Sequence, residues 1–364
     1  MKTVMNPSHG PGAHAAADAS GGNEVGNEVG KEVVLAFDVG GTDMKSGIIL
    51  GELVPGDVGV RDLQRHRTPL DGTRSGHSVC ARIVELTELY RAAHPDLNIC
   101  AVGVTVPGIV DEEAGIGVYS ANLGWKDFPF TATLTQALGV PVGFGHDVGM
   151  AGEAEFRLGA AVGRKDALVL VIGTGIAGAV LCDGRRVAGG GYAGEIGHAM
   201  VPGPDGQLVI LESLGSAGAV ARRYTEATGK AVTGARDVVA LAAKGDAAAV
   251  TVWRQAIDAL AFSVAQCVSI LGTETVVLGG GLSMAGAALF VPLAARVDEL
   301  LTFHRRPDYV HAALGENAGL IGSALKARSL VSAAEKVSTP GPNVGAGAGA
   351  GLGTGTGTGM GEQA

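Results

Sequence analysis

Apolar positions follow two spacings that alternate along this chain. Val33–Phe37 and Ser46–Leu50 are short apolar runs that read as strands on either side of a glycine turn. Val79, Ile83, Leu86, Leu89 and Tyr90 recur at helical spacing and predict a helix. "NICAVGVTVPGIVD" is a strand that ends at Pro107-Gly108, and "PVGFGHDVGMAGEAEFRLGAA" is a short strand running into a helix near His146-Asp147. "DALVLVIGTGIAGAVLCDG" repeats strand, glycine turn, strand. From Glu212 to Leu271 the pattern is mostly helical, with Val250, Trp253, Ile257, Leu260, Val264 and Val268 on one face. "TETVVLGGGLSMAG" is a strand passing through glycines into a helix, and "PDYVHAAL" with "NAGLIGSALKAR" closes the body as strand and helix. The alternation indicates an α/β fold with sheets covered by helices.

Two stretches fall outside this pattern. Residues 1–31 are polar and glycine-rich with a tandem "NEVGNEVG", and 338–364 are a Gly/Ala/Thr tail of low complexity. Neither has enough apolar surface to order itself, so both are expected to be disordered.

The first glycine turn sets the chemical question. A Rossmann or Walker loop opens a helix, but "MKSGIIL" after Gly40-Gly41-Thr42 has no helical stripe. A hairpin turn can still offer successive backbone N–H groups as a nest for phosphate oxygens. Its candidate contacts are Gly40, Gly41, Thr42 and Lys45. Asp38, at the strand end, would repel a phosphate directly but suits Mg²⁺ or its waters. A single Gly-Gly turn is more often only a hairpin. The arrangement recurs, however, at Gly173-Thr174-Gly175, over a hundred residues on. Two such hairpins point to two similar lobes gripping one polyphosphate, that of ATP.

The bulk numbers narrow the field. With 364 residues, 46% hydrophobic and 17% charged, the chain can build two domains. A net charge of −9 and a pI near 5.5 argue against non-specific binding of nucleic acid or anionic lipid. No apolar run has the length of a membrane span and no signal peptide is evident. The four cysteines, Cys80, Cys100, Cys182 and Cys267, lie far apart without a CxxC, as buried thiols in a reducing cytoplasm would.

In order along the chain, "FDVGGTDMK", "VGVTVPGIVD", "NLGW", "HDVGMAGEAE", "VIGTGIAGAV", "AGEIGH", "LESLGSAGAVARRY" and "VVLGGGLSMAG" resemble the ROK family of sugar kinases and repressors. The resemblance covers nearly all of 32–330, and "AGEIGH" is its most specific part. It implies the fold of actin, hexokinase and the Hsp70 ATPase: two RNase H-like lobes with ATP and sugar in a central cleft. The lobes would be 32–146 and 147–337. It implies Asp147 as the base that takes the proton of a sugar hydroxyl. It implies Glu195, His198 and Glu212 at the sugar, Gly108 letting the sugar approach the backbone, and Asn122 by its place in "NLGW". Gly279, Gly280 and Gly281 match the adenosine side. A homodimer is also implied.

From the residues alone, Asp147 could equally be a helix N-cap, Glu212 a first-turn acid, and Glu195 with His198 a solvated loop.

The sequence departs from the family in two places. His146 stands where the family usually has an Asn that reads sugar hydroxyls; a neutral imidazole offers one donor and one acceptor on opposite sides of the ring. The stretch "HAMVPGPDGQLVILE", His198 to Glu212, lacks the cysteines that hold a structural zinc in many members, so none is expected. The reading is an ATP- and Mg²⁺-dependent hexose kinase acting on the 6-hydroxyl of glucose or a relative. N-acetylglucosamine or N-acetylmannosamine is an alternative substrate. A non-catalytic sugar sensor or a repressor is an alternative class, although the 31 residues ahead of the body are too short and polar for a DNA-reading module.

Overall fold

A computed structural model describes residues 31–338 apart from residue 57, with side chains to residue 332. The disorder expected for the two terminal stretches lies outside the described residues, except that Lys31 begins the first strand and Ser338 ends the last helix.

The chain begins with strands β1 (Lys31–Val39), β2 (Asp43–Ile49) and β3 (Val60–Arg67), helix α1 (Ser75–Ala93) and strand β4 (Leu97–Val106). Short strands β5 (Ile109–Asp111), β6 (Ile116–Tyr119) and β7 (Lys126–Phe128) precede α2 (Phe130–Leu138), β8 (Val142–His146) and α3 (Asp147–Leu158). Next come β9 (Ala167–Ile172), β10 (Ile176–Cys182), β11 (Arg185–Arg186), β12 (Met200–Pro202) and β13 (Leu208–Ile210). A helical block follows: α4 (Glu212–Gly215), α5 (Ala217–Thr228), α6 (Ala235–Ala243) and α7 (Ala247–Leu271). The chain ends with β14 (Thr275–Gly279), α8 (Ala287–Leu300), β15 (Asp308–His311) and α9 (Ala318–Ser338).

Two five-stranded sheets share one plan. The first has the order β3-β2-β1-β4-β8 and the second β11-β10-β9-β14-β15. In each, an antiparallel hairpin (β1–β2, β9–β10) is followed by two strands parallel to its first member. Parallel strands need helical crossovers, which is why long helices alternate with these strands. The two glycine turns are therefore the tips of equivalent hairpins, as the repeat in the sequence indicates.

The cores follow the apolar runs. Val33, Leu35, Phe37 and Val39 of β1 alternate onto one face and pack with Val79, Ile83 and Leu86 of α1. The second core gathers Leu168, Leu170 and Ile172 of β9 with Ile257, Leu260 and Val264 of α7. Each such side chain contributes about 1.5–3 kcal/mol when fully buried.

Several expectations need correction. Leu89 is exposed, so the α1 stripe ends on Leu86 and Tyr90. Val250 is also exposed; the buried face of α7 starts with Ala249 and Val252, and continues through alanines that a count of large side chains misses. The closing helix, counted by chain order with 147–337, packs its Leu320, Ala324 and Ala327 against Val34, Ala36 and Ala101 of the first sheet. It covers that sheet's second face, which no helix from residues 32–146 reaches.

Candidate active site

The site is built where β8 gives way to α3. His146 ends the strand in an extended conformation (ψ 136°) and caps the helix, its Nδ1 accepting from the Gly149 N–H at 3.1 Å. This cap stops the ladder and starts the helix one residue later. Asp147 is thus the first helical residue, where the helix dipole favours a carboxylate. Its Oδ1 accepts from the Val148 N–H at 2.7 Å and lies 3.1 Å from His146 Nε2.

Asp147 opens into a cavity of about 570 Å³. Asp38 from the end of β1 and Gly279, Gly280 and Gly281 from the end of β14 line the same cavity. Asp38 Oδ1 accepts from Thr105 Oγ1 at 3.0 Å, and its Oδ2 lies 3.8 Å from Lys45 Nζ. Lys45 sits directly across the hairpin from Asp38 and also donates to the Glu316 carbonyl. Burial raises the Asp38 carboxyl above its usual value, opposed by Lys45 and by the Thr105 hydrogen bond. Burial pushes Asp147 up to about 7, with the charges of Asp38 and Glu195 adding to the rise. Two carboxyls that resist ionisation beside each other form a donor set that a hard divalent cation suits.

The first turn is tied down by backbone bonds. The Gly40 N–H donates to Asp43 O at 2.9 Å, and Thr68 Oγ1 donates to Gly40 O at 2.8 Å. Gly41 and Thr42 are exposed at its tip. In the second turn the Gly173 N–H donates to Gly175 O at 2.9 Å, Thr174 is exposed, and Gly173 O receives the Ala217 N–H at 2.8 Å. That turn meets the start of α5. Ala217 lines a second cavity, of about 470 Å³, together with Thr233, Arg236, Gly281 and Met284. Gly281 and Met284 also line the first cavity, so the two are neighbours. Gly280 takes φ 76°, and a side chain there would run into the Ile172 backbone, so the strand can turn out of the sheet only at glycine. A larger groove, about 790 Å³ between α7 and α8, contains none of these residues.

The predicted sugar residues divide. Glu195 Oε1 lies 3.7 Å from His146 Nε2, and Glu195 Oε2 lies 3.7 Å from His198 Nδ1, so His198, Glu195, His146 and Asp147 form a chain. His198 is 67% exposed at the open end. Glu212 accepts the Ile176 N–H at 2.8 Å and packs against Gly175, which joins it to the second turn. Gly108 has φ 103°, and the space beside its Cα is filled by the Tyr119 carbonyl and Ser120; that close approach by itself requires glycine. Asn122 is exposed in the turn after β6 and does not line the cavity.

The stretch after His198 is a hairpin in which Met200, Val201 and Pro202 pair with Ile210, Val209 and Leu208. Val201 is buried, and the Leu211 N–H closes the loop on Ala199 O at 2.9 Å. Among the described residues no cluster of three or more His, Cys, Asp and Glu side chains is placed to hold a metal.

Sequence reasoning missed two groups. Glu155, buried two turns below Asp147 on the same face of α3, accepts from the N–H groups of Ala160, Ala313 and Leu314. Its i+8 spacing from Asp147 was the available signal. Glu112 and Arg186 pair at 2.5 Å behind the first turn of α3, and nothing in sequence marks an acid and a base 74 positions apart as partners.

The profile of the ROK family matches residues 34–329. The chain belongs to that family. This ROK chain is 28% identical over 326 residues to a glucokinase of Halalkalibacterium halodurans, covering 82% of this chain and 96% of the relative. It is 27% identical over 305 residues to an N-acetylmannosamine kinase of Salmonella typhi, covering 81% and 98%. Among solved structures, a ROK hexokinase from Thermus thermophilus superposes with a TM-score of 0.70 at 30% identity, covering 83% of this chain and 99% of that one. The fold of this ROK chain is that of the actin, hexokinase and Hsp70 ATPase group, two RNase H-like lobes about a cleft. Among the described residues no helix is long and apolar enough to cross a membrane.

Proposed function

We propose that this chain is an ATP-dependent hexose kinase that phosphorylates the 6-hydroxyl of glucose or a closely related hexose, with Asp147 as general base. The observation that carries the reading is the placement of Asp147. It is a carboxyl held near pH 7, at a helix start, in one cavity with Asp38 and the Gly279–Gly281 turn. A base poised near the working pH combines a useful ionised fraction with proton affinity.

In this reading Asp147 holds the hydroxyl by hydrogen bond and takes its proton as the oxygen attacks the γ-phosphoryl. The hairpin turns at 40–42 and 173–175 offer N–H groups and threonine hydroxyls to the phosphates, and Lys45 adds a positive charge. Gly279–Gly281 let the adenosine pack on bare backbone. Asp38 would hold Mg²⁺, directly or through water; the ion supplies charge neutralisation on the phosphate oxygens. Glu195, His198 and Glu212 accept from or donate to sugar hydroxyls, and closure of the lobes excludes water from the phosphoryl group. A homodimer and a cytoplasmic setting go with this reading; the latter agrees with four free thiols.

The test is ADP release over glucose, mannose, N-acetylglucosamine and N-acetylmannosamine, each with ATP and with polyphosphate as donor. We expect glucose or mannose with ATP to be the best pair. Asp147→Asn should keep sugar affinity and lose about 10²–10⁴-fold in kcat. Release with no sugar by the wild-type protein, or near-normal turnover by the variant, overturns the proposal. Preference for an N-acetylated sugar would move the substrate and keep the base.

A further inference from the structure

We propose that a cavity on the far side of α3 is a second binding site, which takes the phosphate group of a small phosphorylated molecule or free phosphate. The cavity is about 350 Å³ and lies between α3, the β10–β11 hairpin and α9. Sites for small ligands begin at about 300 Å³. Helix α3 separates it from the cavity that holds Asp147. Val148, Ala151 and Glu155 line the Asp147 cavity, whereas Met150, Glu153 and Arg157 line this one. At about 3.6 residues per turn these two sets occupy opposite sides of the helix. Two local features shape the walls. Asp183 and Gly184 both take positive φ (52° and 77°), as a tight two-residue hairpin requires, and Arg185 and Arg186 follow at once. Gly322 lets α9 lie close on α3, since a side chain there would run into the Met150 backbone.

Four cations border the cavity: Arg157 on α3, Arg185 and Arg186 on β11, and Lys326 on α9. Among the described residues Glu153 is the one acid of the lining, and Glu112 stands behind Arg186. Four cations against two carboxylates leave two positive charges in excess, in a chain whose net charge is −9. Acceptors are short as well. Glu153 Oε1 accepts from Arg157 Nε at 2.5 Å, and Glu112 Oε2 accepts from Arg186 Nη2 at 2.5 Å. Lys326 Nζ stands 3.7 Å from that same, already occupied Glu112 oxygen. Among the described residues the Arg185 side chain has neither an ion pair nor a hydrogen bond. A phosphate dianion supplies what is lacking, charge to match the excess and oxygens for the guanidinium forks and the ammonium. Arg186 and Lys326 are 15% and 34% exposed, so the phosphate would meet partly desolvated cations, where attraction is stronger than in open water.

The experiment is calorimetric titration of the full chain with inorganic phosphate and, separately, with glucose 6-phosphate, at an ionic strength held constant with chloride. We expect phosphate to bind with a Kd on the order of 0.1–1 mM. Arg185→Gln with Lys326→Gln should weaken binding by about tenfold or more, the loss expected when charge-assisted hydrogen bonds are removed. Should that double variant fold poorly, Arg185→Gln by itself, at an exposed position, should read the same loss at about threefold or more. Lys45→Gln removes the cation beside Asp38 in the cleft and should leave the phosphate affinity unchanged. Binding that is lost in Lys45→Gln and kept in the double variant puts the phosphate in the cleft and overturns the proposal. A wild-type protein that binds no phosphate below about 10 mM overturns it too. Tighter binding of glucose 6-phosphate, lost in the same double variant, makes the ligand a phosphorylated sugar; tighter binding of inorganic phosphate makes it the free ion. None of these titrations uses turnover, so they decide the site whether or not the chain phosphorylates a hexose.

Discussion

Asp147 shows how one environment sets both chemistry and cost. Its carboxyl titrates near 3.8 in a free chain and about 7 here. A protonated Asp147 cannot accept a proton, so kcat/KM should fall as pH drops through about 7; a profile flat from pH 8 to 5.5 would remove it as the base. The same displacement acts on folding. Between about 4 and 7 the folded chain holds a proton that the unfolded chain has lost, so stability declines as pH rises across that window. Asp147→Asn removes this cost. The side chain keeps 27% of its surface open to the cleft, where water screens it. The gain should therefore be about 1–2 kcal/mol at pH 8, vanishing near pH 4, in urea denaturation.

At the scale of elements, α3 joins Asp147 to the segment that follows β15. Glu155 is 1% exposed and spends both oxygens on backbone N–H groups: Oε2 on Ala160 and Ala313, Oε1 on Leu314. The segment it holds leads directly into Gly315, Glu316, Ala318 and Gly319, which line the cavity opposite Asp147. Glu155→Gln leaves one oxygen for three donors and turns an amide toward an N–H. We expect it to cost about 2–4 kcal/mol in urea denaturation and to speed amide exchange at Ala313 and Leu314. The elements that pattern could reveal are those with one apolar face. The two glycine hairpins, β4, β8 and α7 are legible because each carries its own run or face of apolar residues. Strand β3 is not, since "VRDLQRHR" lies at a sheet edge and carries charges, as edges do. The β5–β7 sheet is built from strands of three or four residues, too short to show a period. Asp38, Asp147 and the turns could be named from sequence, but the bond from the Gly149 N–H to His146 Nδ1 could not, because ring orientation has no signature in residue order.

For the molecule as a whole, the question is what keeps the two lobes in register across the cleft. Among the contacts that cross the boundary, two involve buried groups on both sides. Helix α9 departs from the second sheet and covers the first, which is a covalent and apolar connection. The other link is electrostatic: Glu112, in the turn between β5 and β6 of the first lobe, pairs with Arg186 on β11 of the second at 2.5 Å. Lys326 of α9 lies 3.7 Å from the same carboxylate, and Arg186 reaches toward Glu153 of α3 at 3.9 Å. Glu112 and Arg186 are 12% and 15% exposed, so neither can turn to water when its partner is removed. The pair also sits directly behind Gly149, where an added side chain would meet the guanidinium, so it backs the first turn of α3 that carries Asp147. A buried ion pair adds little over an apolar contact but is costly to break on one side. Arg186→Met and Glu112→Gln should therefore each lose about 2–4 kcal/mol. The double variant should lose less than their sum by at least about 1 kcal/mol in urea denaturation. Strict additivity would mean that the two charges do not act together across the boundary, leaving the register to α9 and to contacts such as Arg65 with Glu316.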